Sequence, residues 1–168
     1  MNNQTKFVID KIKETNSKSV LNIGYRYDSD TTIQKFCENN NIEWSVLEIW
    51  KENCDFLIRN KVCFNIYNED VRNIDKINKN FDAIIWLHGP EHVEWNDFLS
   101  FRKNIENHAD KIIIYQAPEG LYPQEAIYNN VYEKHVQTLN EKMFSELNYK
   151  TNNFCKFGEA TFSAWIEK

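Results

Sequence analysis

The sequence predicts an α/β fold: a doubly wound, mostly parallel sheet of the Rossmann-like kind, with helices on both faces and a C-terminal antiparallel hairpin. Three observations predict it. Apolar runs of strand length recur along the chain, several too continuous for a sheet with one wet face. Between these runs the apolar residues take helical spacing. After residue 147 the pattern changes to two strand-like runs lying close together.

Residues 1–168 are read as a single domain, because a chain of 168 residues buries a sizeable core without a disulfide staple or a structural metal. Apolar residues make up 42% and aromatic residues 14%, enough large rings to fill a core and still line a pocket. No internal repeat or low-complexity tract interrupts the chain.

Phe7, Val8 and Ile12 predict a helix leading into a first strand at residues 19–24, and Ile33, Phe36 and Cys37 predict the helix that follows it. Further strands are expected at residues 44–49 and 62–66. The runs Phe81-Asp82-Ala83-Ile84-Ile85-Trp86-Leu87 and Lys111-Ile112-Ile113-Ile114-Tyr115-Gln116 read as strands buried on both faces. Trp95, Phe98, Leu99 and Ile105 place a helix between them, and Val131, Val136, Leu139, Met143 and Leu147 suggest a later one. Residues 152–157 and 160–166, joined by a turn at Gly158-Glu159, form the terminal hairpin.

Acidic residues outnumber basic ones for a formal charge of -5, and no run of Lys and Arg tracks a phosphate backbone, so nucleic acid is not an expected partner. Cys37, Cys54, Cys63 and Cys155 are spread out with no CxxC pair, as reduced thiols are. The first residues are polar and no apolar stretch approaches membrane-spanning length. A cytoplasmic protein with no membrane partner is the expectation.

In a sheet of this kind ligands sit outside the carboxyl ends of the strands, where strand order reverses. Gly24 closes the first strand and permits a tight turn with close approach of a ligand. Glu48 ends the second strand at roughly the 20-residue spacing from the glycine turn at which such folds hold ribose hydroxyls. Its neighbours Ile49 and Trp50 offer apolar surface to a base. Asp70, after the third strand, is placed to accept a hydrogen bond from an exocyclic amine.

The fourth strand runs into His88-Gly89-Pro90-Glu91-His92-Val93-Glu94, the densest titratable cluster in the chain. His88, Glu91 and His92 are candidates for a general base. A packing and capping role is the alternative for these histidines, with Glu91 and Glu94 favourable near the start of the next helix. No metal is expected, since Pro90 interrupts the helix that would align His88 with His92 and no third ligand follows at fixed spacing. Behind the fifth strand, Ala117-Pro118-Glu119-Gly120-Leu121-Tyr122-Pro123-Gln124 is a constrained loop suited to one wall of an acceptor pocket.

Together these strand ends resemble the class I S-adenosylmethionine-dependent methyltransferases, from residue 18 to about residue 150. Residues 18–24 are similar to the family's first motif, residues 46–48 to its acidic second strand, and Glu69-Asp70 to its adenine-contacting turn. The segment Phe81-Asp82-Ala83-Ile84-Ile85 followed by Glu91-His92-Val93 resembles its fourth-strand region, and Asn130-Val131-Tyr132-Glu133-Lys134-His135 a segment of small bacterial and phage-type members.

The resemblance implies S-adenosylmethionine as cofactor and a small-molecule acceptor. By it Gly24 approaches the methionine portion, Glu48 holds the ribose, Asp70 meets the adenine amine, and His88, Glu91 and His92 face the acceptor. The family's loop carries an acidic residue and further glycines where this chain has Asn22, Arg26 and Asp28. The charge of Arg26 suggests a pairing with the methionine carboxylate. Two readings follow: methyl transfer to a small molecule, or a catalytically inactive binding or partner protein on the same fold. A nicotinamide enzyme would need a glycine fingerprint that Tyr25-Arg26-Tyr27-Asp28 does not supply, and no GxxxxGK[ST] loop occurs.

Overall fold

A computed structural model describes residues 2–156 and 159–168. In chain order the elements are α1 (Asn3–Glu14), β1 (Ser19–Ile23), α2 (Thr32–Asn39), β2 (Glu43–Glu48), α3 (Lys51–Arg59), β3 (Asn65–Asn68) and a 3-10 segment (Val71–Lys76). There follow β4 (Phe81–Leu87), a 3-10 turn (Pro90–His92), α4 (Trp95–Asn107), β5 (Ala109–Pro118) and a 3-10 turn (Val131–Glu133). The chain closes with α5 (Glu141–Ser145), β6 (Lys150–Lys156) and β7 (Glu159–Glu167).

The strands form one sheet in the order β3-β2-β1-β4-β5-β7-β6. Pairs among β1 to β5 are parallel, and β7 runs antiparallel to both β5 and β6. Parallel neighbours need crossovers over a sheet face, so apolar side chains on both faces are covered. Along β5, Ile113, Tyr115 and Ala117 enter one core with Phe98, Phe101 and Phe144, while Ile112 and Ile114 enter the other with Val8, Ile12 and Ile33. Phe81 shares the side of Ile84 because the β4–β5 register shifts between Phe81 and Ala83.

Local chemistry sets the helix ends. The Asn2 side chain accepts from the Thr5 amide at 2.7 Å and starts α1. Asp70 and Asn140 likewise cap the 3-10 segment and α5.

The structure corrects three expectations. The third strand begins at Asn65 and not at residue 62, because the Val62 amide donates to the Leu57 carbonyl and closes the end of α3. Residues 131–147 are not one helix. His135 donates its amide to Gln124 and Val136 donates to Glu91, so these backbone donors leave the helical ladder for tertiary partners. Only Glu141–Ser145 is α-helical there, and Val131 and Val136 are exposed while Leu139 is buried through its bridge to Gly120. Finally, the crossover from β3 to β4 is a 3-10 segment and not an α-helix. Of the turn expected at Gly158-Glu159, Gly158 lies outside the described residues and Glu159 is the first residue of β7, paired with Lys156.

Strand order reverses between β1 and β4: β1 leads outward to β2 and β3, and the chain then returns to the other side of β1. The crevice at the carboxyl ends of these two strands is where a fold of this kind places its ligand.

Candidate functional site

A cleft of about 680 Å3 opens there, bounded by the ends of β1, β2 and β4, the Asp70 turn and the segment around residues 122–136. Its floor is Trp86, whose indole packs against Phe98, Phe101 and Tyr115. Two glycines lie over this ring. Gly24 has φ +73 and a Cβ there would stand 3.7 Å from Trp86 Nε1, while a Cβ on Gly89 would stand 1.8 Å from the same atom. Gly89 is thus required for space and Gly24 for backbone conformation.

Glu48 ends β2 with only 7% of its surface exposed, and lines the cleft. Oε1 accepts from the Trp50 amide at 2.7 Å and Oε2 accepts from Asn53 Nδ2 at 2.9 Å. A carboxylate offers about four lone-pair positions, so each oxygen retains acceptor capacity towards the cleft. Burial pushes its pKa up, against the opposing pull of those two hydrogen bonds. Ile49 joins Glu48 in the cleft wall, whereas Trp50 contributes its amide and is not among the described lining residues.

Asn53, on the first turn of α3 and 1% exposed, organises this corner. Besides Glu48 it donates to the Tyr25 carbonyl at 2.8 Å, and its Oδ1 accepts from the Tyr27 amide at 3.0 Å. One buried amide therefore fixes both the Glu48 carboxylate and the loop after β1. Sequence reasoning passed over it, because an Asn early in a helix reads as ordinary polar surface.

In the loop after β1, Tyr25 is buried and donates to Gln34 Oε1 at 2.9 Å. Arg26 turns towards the far wall. Its Nη1 donates to Glu133 at 2.8 Å, its Nε donates to Asp28, and its guanidinium lies 5.8 Å from the Tyr128 ring. Five N–H donors leave Arg26 with capacity beyond these contacts. Its side chain lines the cleft and ties the loop to the 131–133 turn.

Asp70 also lines the cleft, and Arg72 brackets its carboxylate: the Arg72 amide donates at 2.9 Å and Nε lies 3.0 Å from each oxygen. Burial opposes ionisation of Asp70, but the Arg72 hydrogen bonds outweigh it and hold the carboxyl below its ordinary range. Glu69 lines the cleft as well, with its carboxylate committed to Lys76 and Asn73.

At the other end of the cleft His88 holds φ +52, a conformation uncommon for a residue with a side chain, and its amide extends the β4–β5 ladder to the Gln116 carbonyl at 2.9 Å. Pro90 occupies the first position of the short turn that carries Glu91 and His92. The sequence grouped His88, Glu91 and His92, and the structure brings a fourth residue to them. His135 Nε2 lies 3.9 Å from Glu91 Oε1, and the His92 and His135 rings meet edge-on at 4.9 Å. His88 Nδ1 is 3.7 Å from the same carboxylate oxygen. His135 could be found in the sequence only through the resemblance of the segment that carries it.

The sequence matches no protein-family model and no curated protein. Solved structures match it over nearly its whole length. A S-adenosylmethionine-dependent methyltransferase from Clostridium acetobutylicum superposes with a TM-score of 0.72 at 11% identity, covering 97% of this chain and 89% of that one. A SAM dependent methyltransferase from Archaeoglobus fulgidus gives a TM-score of 0.67 at 15% identity, covering 98% and 94%. Magnesium protoporphyrin IX methyltransferase from Synechocystis, solved with bound SAM, gives 0.67 at 10% identity, covering 98% and 78%. The chain has the fold of the class I S-adenosylmethionine-dependent methyltransferases.

Proposed function

We propose that the protein binds S-adenosylmethionine in this cleft and transfers its methyl group to a small-molecule acceptor. The observation that carries this reading is Glu48: a buried carboxylate at the end of β2, fixed by Asn53 and the Trp50 amide, with acceptor capacity left over towards the cleft. Paired ribose hydroxyls are the natural donors for such a group.

The remaining residues fit the same ligand. Gly24 and Gly89 leave room above Trp86 for a ligand to approach the backbone. Ile49 and Val71 offer apolar contact to a base, and Asp70 lies in the same wall, where an amine would share its carboxylate with the Arg72 amide and guanidinium. Arg26 lines the cleft beside the Gly24 turn and has donors to spare for the methionine carboxylate. Solved neighbours with SAM bound on the same fold support this assignment.

When bound, the cofactor supplies an electrophilic methyl on a cationic sulfur. The protein's part is to hold the acceptor's nucleophilic atom in line with that methyl, where proximity and orientation do most of the work. His88, Glu91 and His92 line the acceptor end, and an imidazole there, His88 foremost, can take the proton of a hydroxyl or amine as it attacks.

The test is a mass-resolved assay with labelled S-adenosylmethionine and pooled small-molecule acceptors. Transfer of label that is lost on Glu48→Ala supports the reading, and binding of the cofactor with no transfer to any pool member favours the binding-protein alternative.

A further inference from the structure

We propose that Glu91, His92 and His135 form a binding site for a divalent transition ion of the zinc class at the acceptor end of the cleft. One ligating atom from each of the three lies within 4.8 Å of the other two. Two imidazoles and one carboxylate are the donor set that such ions favour, and three protein ligands leave positions open for a further ligand.

Two features point to a cation beyond mere proximity. Glu91 is 2% exposed, and neither of its carboxylate oxygens has a hydrogen-bond partner among the described residues. A buried carboxylate without donors is unfavourable, and a bound cation compensates it directly. The second feature is the tautomer of the histidines. His92 Nδ1 lies 3.0 Å from the Lys134 carbonyl, and His135 Nδ1 lies 2.5 Å from the Tyr122 carbonyl. A carbonyl only accepts, so each Nδ1 carries its proton and donates. In the neutral ring the lone pair is then on Nε2, and metal-binding histidines are commonly oriented by such backbone carbonyls.

The ligands come from two segments that are clamped together. Val136 donates its amide to the Glu91 carbonyl at 3.0 Å, and Gln137 donates to the carbonyls of Pro90, at 2.9 Å, and Val93. Ligand atoms around zinc, at bonds of about 2.0–2.1 Å, stand roughly 3.3 Å apart. From separations of up to 4.8 Å, loading the site would draw the ligand atoms closer by at most about 1.5 Å.

An acceptor hydroxyl or thiol that took an open position on the ion would lose its proton more readily, which is what a methyl acceptor needs. This role rests on the methyl-transfer reading, whereas binding of the ion does not.

The test uses the full chain, dialysed against a chelator and titrated with Zn2+ by calorimetry and with Co2+ by visible absorption. One equivalent should bind, with cobalt bands of a four- or five-coordinate nitrogen and oxygen site. Affinity should fall at least tenfold in His92→Ala, His135→Ala and Glu91→Gln, and stay unchanged in His108→Ala, whose ring contacts Asn104 and Ile77 away from the cleft. Circular dichroism checks the fold of each variant, and the wild-type cobalt spectrum stands whichever of them folds. Absence of binding, a sulfur-to-cobalt band, or unchanged affinity in folded histidine variants would overturn the proposal. S-adenosylhomocysteine is titrated in parallel: its binding without ion binding sinks this inference alone, and ion binding without it sinks the methyl-transfer reading alone.

Discussion

Asn53 Nδ2 donates to Glu48 Oε2 at 2.9 Å and to the Tyr25 carbonyl at 2.8 Å, so a single buried amide couples the end of β2 to the loop after β1. Glu48 pays for its place: burial raises its pKa. For a carboxyl with a raised folded pKa, the favourable contribution is present below its ordinary value near 4.5 and is lost as pH rises through the raised value. Once ionised, its charge counts against the fold of the ligand-free chain, and a ligand that donates to it recovers that loss. Asn53→Ala removes one donor from Glu48 and one from Tyr25. A destabilisation of about 1–3 kcal/mol in urea unfolding is expected, together with weaker S-adenosylmethionine binding by roughly tenfold, a loss near 1.4 kcal/mol.

Gly89→Ala should act through Trp86. A Cβ at 1.8 Å from Nε1 forces the indole out of its place over Phe98 and Phe101. Overpacking of this kind costs about 1–3 kcal/mol, and the cleft loses its floor. Thermal melting reads the first effect and cofactor titration the second, and an unchanged melting point with unchanged affinity would show that Trp86 does not form the floor.

Arg26 and Glu133 separate two roles. If the guanidinium meets the methionine carboxylate, Arg26→Ala weakens cofactor binding by roughly tenfold or more, as loss of a charge-assisted pair does. Glu133→Gln frees Nη1 from its carboxylate partner and should leave affinity unchanged or improved. Equal weakening in both variants would mean that the ion pair matters only for docking the loop against the 131–133 turn.

Glu106 gives a pH dependence of the opposite sign to Glu48. Burial disfavours its ionisation, but Lys103 at 2.6 Å, the Tyr149 hydroxyl and Arg102 at 2.7 Å outweigh that and lower its pKa. A lowered carboxyl pKa contributes stability that is present above the ordinary value near 4.5 and lost as pH falls through the folded value. The melting temperature of the wild type should fall between pH 5 and pH 3 by more than that of Glu106→Gln, as scanning calorimetry across that range would show.

The parallel strands were legible because burial on both faces writes a continuous apolar run, as in Ile112-Ile113-Ile114, and Phe81–Leu87 emerges with the expected bounds. Strand ends were legible for the same reason, and Gly24, Glu48, Asp70, Glu91 and His92 do meet in one cleft. Residues 131–147 misled because their apolar spacing fits a helix while their amides serve Gln124 and Glu91, partners distant in sequence. His135 and Asn53 escaped for a related cause. Each acts through a contact with another segment, and neither composition nor local spacing records such a contact.

In the proposed activity this cleft holds S-adenosylmethionine through Glu48. Calorimetric titration of the cofactor and of S-adenosylhomocysteine, with thermal melting alongside, tests it most directly. One equivalent should bind and raise the melting temperature, and Glu48→Ala should weaken binding by at least tenfold. No heat and no thermal shift at saturating ligand, or equal affinity in Glu48→Ala, would contradict the account.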